Sequence, residues 1–386
     1  MDFNHLPEHE ELVAVARRVA AELAPGYVER DRAGTFPWET LKLLATSGLL
    51  GVHVPAEAGG QGAGELAAGL VCEELGKADY TTALMIIQAG TAGKMLWRLG
   101  SERIKAEWLP RVTTGDTTFG LALTEPGTGS DISALAATAR PTANGDRPGV
   151  GGGPPNGWTI RGEKSSMSFS ESQVAFVLAK TEGGPALFVV PLDAPGVTVA
   201  PFDDLGSRPL GRAVVTFDDV VVPADAMLGT PGAGVKYALG SLASSKVLVC
   251  CVCLGVAEAA LAEAVEWARE RVTFGAPLAT RQGIAFPAAD LATQLEAARL
   301  LSHKALWLAD RGDDFRREAA MAKAWIPRLA STVCHETILT IGHVAYSREH
   351  PAQLRLRDVL ATELGEGPAN TQRIIVARDL FGVTPS

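Results

Sequence analysis

Phe119-Gly120-Leu121-Ala122-Leu123-Thr124-Glu125-Pro126-Gly127-Thr128-Gly129-Ser130-Asp131 marks the point at which the chain changes character. Upstream, apolar residues recur at helical spacing from Glu10 to about Leu23, then across Trp38 to Leu49, Leu66 to Gly76, Thr82 to Leu99 and Glu102 to Val112. That period places one apolar stripe on each helix. Composition shifts near Gly115. Strand signals follow at Phe119 to Leu123, Trp158 to Arg161, Val174 to Ala179, Ala186 to Pro191, Val197 to Pro201 and Ala213 to Val222, separated by glycine, proline and aspartate. After the turn at Thr230 to Gly234 the helical period returns and persists through Tyr237 to Arg271, Gln282 to Arg311, Arg316 to Ile341 and Pro368 to Phe381. Such long apolar-faced elements with short connections predict an antiparallel bundle. The order predicts a mainly α fold with a central β domain: an N-terminal helical domain over 1–117, a middle β domain over 118–228 and a C-terminal helical bundle over 229–386. Pro327, inside the third of these late helices, predicts a kink, because it donates nothing to the preceding turn.

A chain of 386 residues exceeds what one compact core holds. Its 47% hydrophobic and 20% charged residues are ordinary for a globular protein. A net charge of -9 argues against nucleic acid as a partner, since phosphate binding needs a basic face. No charged leader precedes an apolar run, and no uninterrupted apolar span suits a bilayer, so the expectation is a cytoplasmic protein with no membrane partner. Cys72, Cys250, Cys251, Cys253 and Cys334 are odd in number and lack paired spacing, which predicts reduced core thiols. The seven histidines are scattered, and the apolar run Val247 to Leu254 offers its cysteines no further ligand, so no metal site is expected. Asn144 to Asn156 reads as a surface loop. Its Gly149-Val150-Gly151-Gly152-Gly153 run looks like a dinucleotide fingerprint, but no helix follows it, which excludes that reading.

Near the C-terminus, Glu366-Gly367-Pro368 precedes an apolar-periodic helix whose first turn suits Pro368, while Gly367 permits a sharp approach. Glu366 is therefore a carboxylate on a bend. It is either a solvated loop residue or a base aimed into a cavity, where desolvation raises its pKa and the helix N-terminus lowers it.

The stretch Thr124-Glu125-Pro126-Gly127-Thr128-Gly129-Ser130-Asp131 resembles the signature Thr-Glu-Pro-Gly-x-Gly-Ser-Asp of the acyl-CoA dehydrogenase family. Arg271 with Phe274-Gly275 and Gln282 is similar to the family's second signature, and the Glu366 block falls where the family keeps its catalytic Glu-Gly-Thr. Val54-Pro55, Glu57, Gly59-Gly60, Gly62 and Phe217-Asp218-Asp219-Val220 to Pro223 match further landmarks, so the resemblance spans essentially the whole chain.

The resemblance implies a β-barrel-like middle domain, a C-terminal four-helix bundle, and FAD lying between them. Glu366 would remove the α proton of an acyl thioester while the β hydride passes to flavin N5. The thioester carbonyl would be polarised by a ribityl hydroxyl and the Glu366 backbone N–H. Leu123, Thr124, Ser130 and Ser168 would lie beside the isoalloxazine. Arg271, Phe274 and Gln282 would reach the pyrophosphate and adenosine of an FAD held by a neighbouring subunit, which implies a homo-oligomer, a dimer of dimers. Three further FAD-facing positions depart from the pattern: Ser166 stands where a tryptophan usually shields the flavin, Pro368 replaces a hydroxyl-bearing threonine, and Gly342 opens an altered glycine-rich turn. Towards the substrate the resemblance implies Ser130, Ser245 and Gly365, with Met85, Ile87 and Gln88 as candidate chain-length determinants. Gly365 replaces a frequent tyrosine, and Ser245 occupies the position from which some members project the base instead. These departures suggest a specialised member, serving secondary metabolism on acyl-CoA or on an acyl carrier protein and passing electrons to an electron-transfer flavoprotein. Two rivals remain: a flavin monooxygenase or oxidase on the same fold, against which Glu366 argues, and a non-catalytic scaffold.

Overall fold

A computed structural model describes residues 6–129, 134–142 and 157–383. Ser130, Asp131 and the expected loop Asn144 to Asn156 lie outside the described residues. The chain begins with helices α1 (Pro7–Leu23), α2 (Tyr27–Ala33), α3 (Trp38–Thr46), α4 (Gly64–Ala78), α5 (Tyr80–Leu99) and α6 (Glu102–Thr113). Strands β1 (Phe119–Ala122), β2 (Thr138–Pro141), β3 (Gly157–Ser168), β4 (Val174–Thr181), β5 (Gly184–Pro191), β6 (Val197–Pro201), β7 (Arg212–Pro223) and β8 (Met227–Leu228) follow. Helix α7 (Gly234–Glu270), the hairpin β9 (Val272–Thr273) and β10 (Ala276–Pro277), and helices α8 (Gln282–Asp310), α9 (Arg316–Ile341), α10 (Pro351–Leu364) and α11 (Ala369–Phe381) complete it. The expected succession of helices, sheet and helical bundle is present.

Sheet order is β6-β7-β3-β2-β4-β5-β8, with β1 parallel to β4. Trp158 on β3 and Phe188 on β5 meet with ring centroids 5.5 Å apart. Three ladders separate those strands, about 14 Å in a flat sheet at the usual strand spacing. The sheet therefore curls until its inner faces touch, which gives the barrel-like character. Along β4, Ala175, Val177 and Ala179 enter this inner core. The alternate residues Val174, Phe176 and Leu178 join the larger core shared with the helices. Both faces are buried, which explains why β4 reads as a continuous apolar run.

That larger core binds the two helical parts across α4 and α7. Their approach depends on glycine: a Cβ on Gly255 would sit 2.0 Å from the Glu73 carbonyl oxygen, and one on Gly76 would sit 2.6 Å from that of Val252. Helix α7 contains an 18-residue window of mean hydropathy 2.1, enough by length and composition alone to span a bilayer. Since 72% of that window is buried inside the protein, the apolarity is that of a central core helix. All five cysteines are buried and free. Helix α9 runs as one element through Pro327.

Helices α2 and α10, strand β2 and the two-residue strands β8, β9 and β10 have no counterpart in the expectation from sequence. The buried face of α10 includes Asp358 and Thr362, so polar residues interrupt its apolar period. Asp358 accepts the Tyr27 hydroxyl at 2.6 Å and the Ser207 N–H at 2.6 Å, while Arg357 pairs with Asp31 at 2.7 Å. These contacts tie α10 to α2 and to the β6–β7 loop. Burial pushes the Asp358 carboxyl up to about 7 despite those two donors. A carboxyl whose pKa is raised on folding contributes stability that is complete below its unfolded pKa and is lost as pH rises through the folded value. The difference amounts to roughly 4 kcal/mol between about pH 4 and 7. Asp358→Asn, which carries no charge to bury, is expected to gain on the parent in denaturant midpoint as pH rises from 5 to 8. A midpoint difference independent of pH would contradict this.

Candidate active site

Helix α10 ends at Leu364 and the chain turns sharply before α11. Gly365 is extended, Glu366 has φ 54°, Gly367 has φ 85°, and Pro368 is the N-cap of α11, one position earlier than expected. A positive φ is uncommon for glutamate and persists only where the surroundings enforce it. Here they do. Lys323, fully buried on α9, donates to Thr362 O at 2.7 Å and Gly367 O at 3.4 Å, bracketing Glu366 from both sides. Thr362 Oγ1 also meets the Tyr80 hydroxyl of α5 at 2.6 Å. Gln372 Nε2 donates to Gly367 O at 3.1 Å, and the positive φ of residue 367 favours glycine there.

The Glu366 side chain is held as firmly as its backbone. Oε1 accepts the Ser245 hydroxyl of α7 at 2.9 Å, whereas Oε2 is buried with no partner among the described residues. Burial raises the Glu366 pKa above the usual carboxylate range, and Ser245, Lys323 and Lys246 oppose that shift. The backbone N–H of Glu366 has no partner among the described residues. An unsatisfied carboxylate oxygen and an unsatisfied donor on one bend can take a proton and hold a carbonyl oxygen. Gly365 is exposed, and a Cβ there would meet only Ala361 O, at 3.4 Å, so the bend is open on that side.

A second cluster lies on the sheet. Ser165 N–H donates to Thr124 O at 2.9 Å, joining the β1 exit to β3 beside a bulge where Ser166 has φ 58°. Such bulges re-aim side chains and recur beside functional sites. Leu123 is buried, Ser166 half-buried, and Thr124 and Ser168 exposed. What fastens this loop is a pair that the sequence reading did not single out. Lys164, fully buried, donates to Glu125 Oε1 at 2.7 Å and Leu123 O at 3.2 Å. Glu125 also accepts the Ala136 and Ala137 N–H groups at 2.7 and 3.0 Å. Burial pushes the Glu125 carboxyl up, but Lys164 and those N–H groups outweigh it and hold it below the usual range. The available signal was Lys164 itself, a lysine between Ile160 and Met167 in a strand whose neighbours face the inner core. Lys323, inside an apolar-faced helix, offered a similar one.

Other expected site residues stand apart from these clusters. Arg271 caps α7 and is exposed, Phe274 at the β9–β10 turn has φ 50° and is 99% exposed, and Gln282 opens α8 on the surface. Arg281 braces the hairpin through Thr273 O at 3.1 Å. Gly342 ends α9 at φ 84° with open space where a Cβ would be. Met85 and Gln88 line a small cavity with Leu41, Val112 and Phe119, between α3, α5, α6 and β1 rather than on the elements that carry Glu366. Ile87 is buried in the main core.

The family's N-terminal, middle and C-terminal domains match residues 6–116, 120–220 and 232–381. The chain belongs to the acyl-CoA dehydrogenase family. It is an oxidoreductase acting on a CH–CH group, and it is FAD-dependent. It is 36% identical to the human short-chain specific acyl-CoA dehydrogenase of mitochondria, covering 97% of this chain and 91% of that protein. Butyryl-CoA dehydrogenase from Megasphaera elsdenii superposes with a TM-score of 0.91 at 31% identity, over 98% of this chain and 100% of that one. A structure of PigA in complex with FAD superposes at 0.90 with 25% identity, over 98% and 99% of the two chains. The residues present fit FAD. Among the described residues, Gln372 Oε1 is buried and unpartnered beside the Glu366 bend, and added side chains at Gly127, Gly129 and Gly342 would meet nothing within 4 Å. An acyl-CoA dehydrogenase needs both features: free polar atoms at a reacting centre and backbone left open to a cofactor.

Proposed function

We propose that this acyl-CoA dehydrogenase desaturates an acyl thioester with Glu366 as the base that removes the α proton. The observation that carries this reading is the pair of oxygens on Glu366, one hydrogen-bonded to Ser245 and the other buried and unsatisfied. Oε2 takes the proton, and the Glu366 N–H steadies the thioester carbonyl as negative charge develops there. Bound FAD supplies the acceptor for the β hydride, which no side chain provides. Leu123, Thr124, Ser166 and Ser168 would orient the isoalloxazine, with Gly342 and Pro368 nearby. Arg271 at the end of α7, Phe274 at the tip of the braced hairpin and Gln282 at the start of α8, all exposed, would reach the cofactor of a second copy. On this reading the protein is a homo-oligomer, and light scattering reporting a monomer would contradict it. Ser245 and Gly365 would border the acyl group. An electron-transfer flavoprotein would reoxidise the enzyme, and five free thiols favour a cytoplasmic setting. The small residues around Glu366 favour a specialised substrate, on CoA or a carrier protein. Anaerobic titration of the yellow enzyme with acyl-CoA thioesters from butyryl-CoA upward, and with acyl carrier protein counterparts, is expected to bleach the flavin for at least one of them. Failure of every thioester overturns the assignment.

A further inference from the structure

Ser245 lies on α7 with 2% of its surface exposed, in the small-residue stretch Ser241-Leu242-Ala243-Ser244-Ser245. Buried hydroxyls on a helix ordinarily donate to a carbonyl one turn back. Nearby groups on α7 do so: the half-buried Ser241 hydroxyl donates to Ala238 O at 2.7 Å, and the buried Cys250 thiol donates in the same way to Lys246 O at 3.1 Å. Ser245 instead reaches across to α10's exit and donates to Glu366 Oε1 at 2.9 Å. This leaves the two Glu366 oxygens unequal. One is occupied by a donor on a rigid core helix, and the other is buried and bare.

We propose that Ser245 is the positioning residue of Glu366, its hydroxyl fixing Oε1 so that Oε2 alone is presented to the substrate proton. The inference rests on the reading of Glu366 as the base. Lys323 and Gln372 secure the bend's backbone through Thr362 O and Gly367 O, but neither donates to the carboxylate, so the side-chain rotamer depends on Ser245. The charged and titratable groups facing Glu366 are Lys246 and Cys250 from α7, Lys323 from α9 and Tyr80 from α5. Neither lysine forms an ion pair with Glu366, so the Ser245 hydroxyl is the closest stabiliser of the ionised form among the described residues. A hydrogen bond to a charged group is strong enough to move such a titration by about one unit.

The test uses FAD-loaded Ser245→Ala, Ser245→Thr and Glu366→Gln proteins beside the parent. The infrared carbonyl band of a protonated carboxyl, assigned to Glu366 by its loss in Glu366→Gln, is titrated with pH in each. In Ser245→Ala the band is expected to persist about one unit higher in pH, and the pH profile of flavin bleaching by a responsive acyl-CoA is expected to move with it. Ser245→Thr, which keeps the hydroxyl, is expected to retain the parent midpoint. An unmoved midpoint in Ser245→Ala, or a Thr variant that behaves like the Ala variant, overturns the proposal. A shifted midpoint with Glu366→Gln still bleaching at the parent rate would overturn the assignment of the base, and with it the positioning role in catalysis.

Discussion

Glu366→Gln is expected to lower the rate of flavin bleaching by a competent acyl thioester by about 10² to 10⁴ while leaving the protein folded and yellow. Glutamine is nearly isosteric, and its carbonyl oxygen can still accept the Ser245 hydroxyl, so the bend retains its 2.9 Å contact and its Lys323 bracket. Only the basicity disappears. Stopped-flow absorbance under anaerobic conditions measures the rate, and visible absorbance against protein concentration measures retained FAD. Because burial raises the Glu366 pKa, the parent rate should climb with pH above the ordinary carboxylate range as Glu366 ionises, and the Gln variant should lack that limb. A Gln variant that keeps the parent rate would place the base elsewhere. Loss of rate accompanied by loss of FAD would instead indicate that the bend holds the cofactor.

Much of this site was legible in the chain because its parts are local. The bend at 365–368 could be read from a glutamate between glycines before a helix, and the structure shows that bend with positive φ at 366 and 367. The loop at 123–129 could be read from its proline and glycines. What sequence could not supply were the long-range fasteners. Lys323 lies 39 residues from Thr362 and Lys164 lies 39 from Glu125, and nothing in a period of 2.0 or 3.6 pairs such positions. Helix α10 escaped for a related reason. Its inward face carries Asp358 and Thr362, whose partners Tyr27 and Tyr80 come from hundreds of residues away, so its burial is polar where a pattern search expects leucine. Strand β4 was found despite lacking alternation, because burial on both faces leaves a short run whose length and β-branched and aromatic content favour a strand over a helix.

Lys164→Met is expected to destabilise the protein by about 3 to 5 kcal/mol and to release FAD. The lysine is wholly buried, and its ammonium is the only cation paired with Glu125 among the described residues. Removing it strands a carboxylate in the sheet interior and deprives Leu123 O of a donor. The Ala136 and Ala137 N–H groups soften that penalty but carry no compensating charge. The damage falls on the loop that presents Leu123 and Thr124, whose register against β3 depends on the Ser165 to Thr124 hydrogen bond. Chemical denaturation measures the stability, and flavin absorbance after gel filtration measures retention. The double variant Glu125→Gln with Lys164→Met separates the causes, because replacing both partners of a buried pair is often near neutral where removing one is not. Recovery in the double variant would trace the cost to the stranded Glu125 charge. A double variant no more stable than Lys164→Met alone would trace it to the lost bond at Leu123, and the lysine would then act on the loop as a backbone tether rather than as a counter-ion.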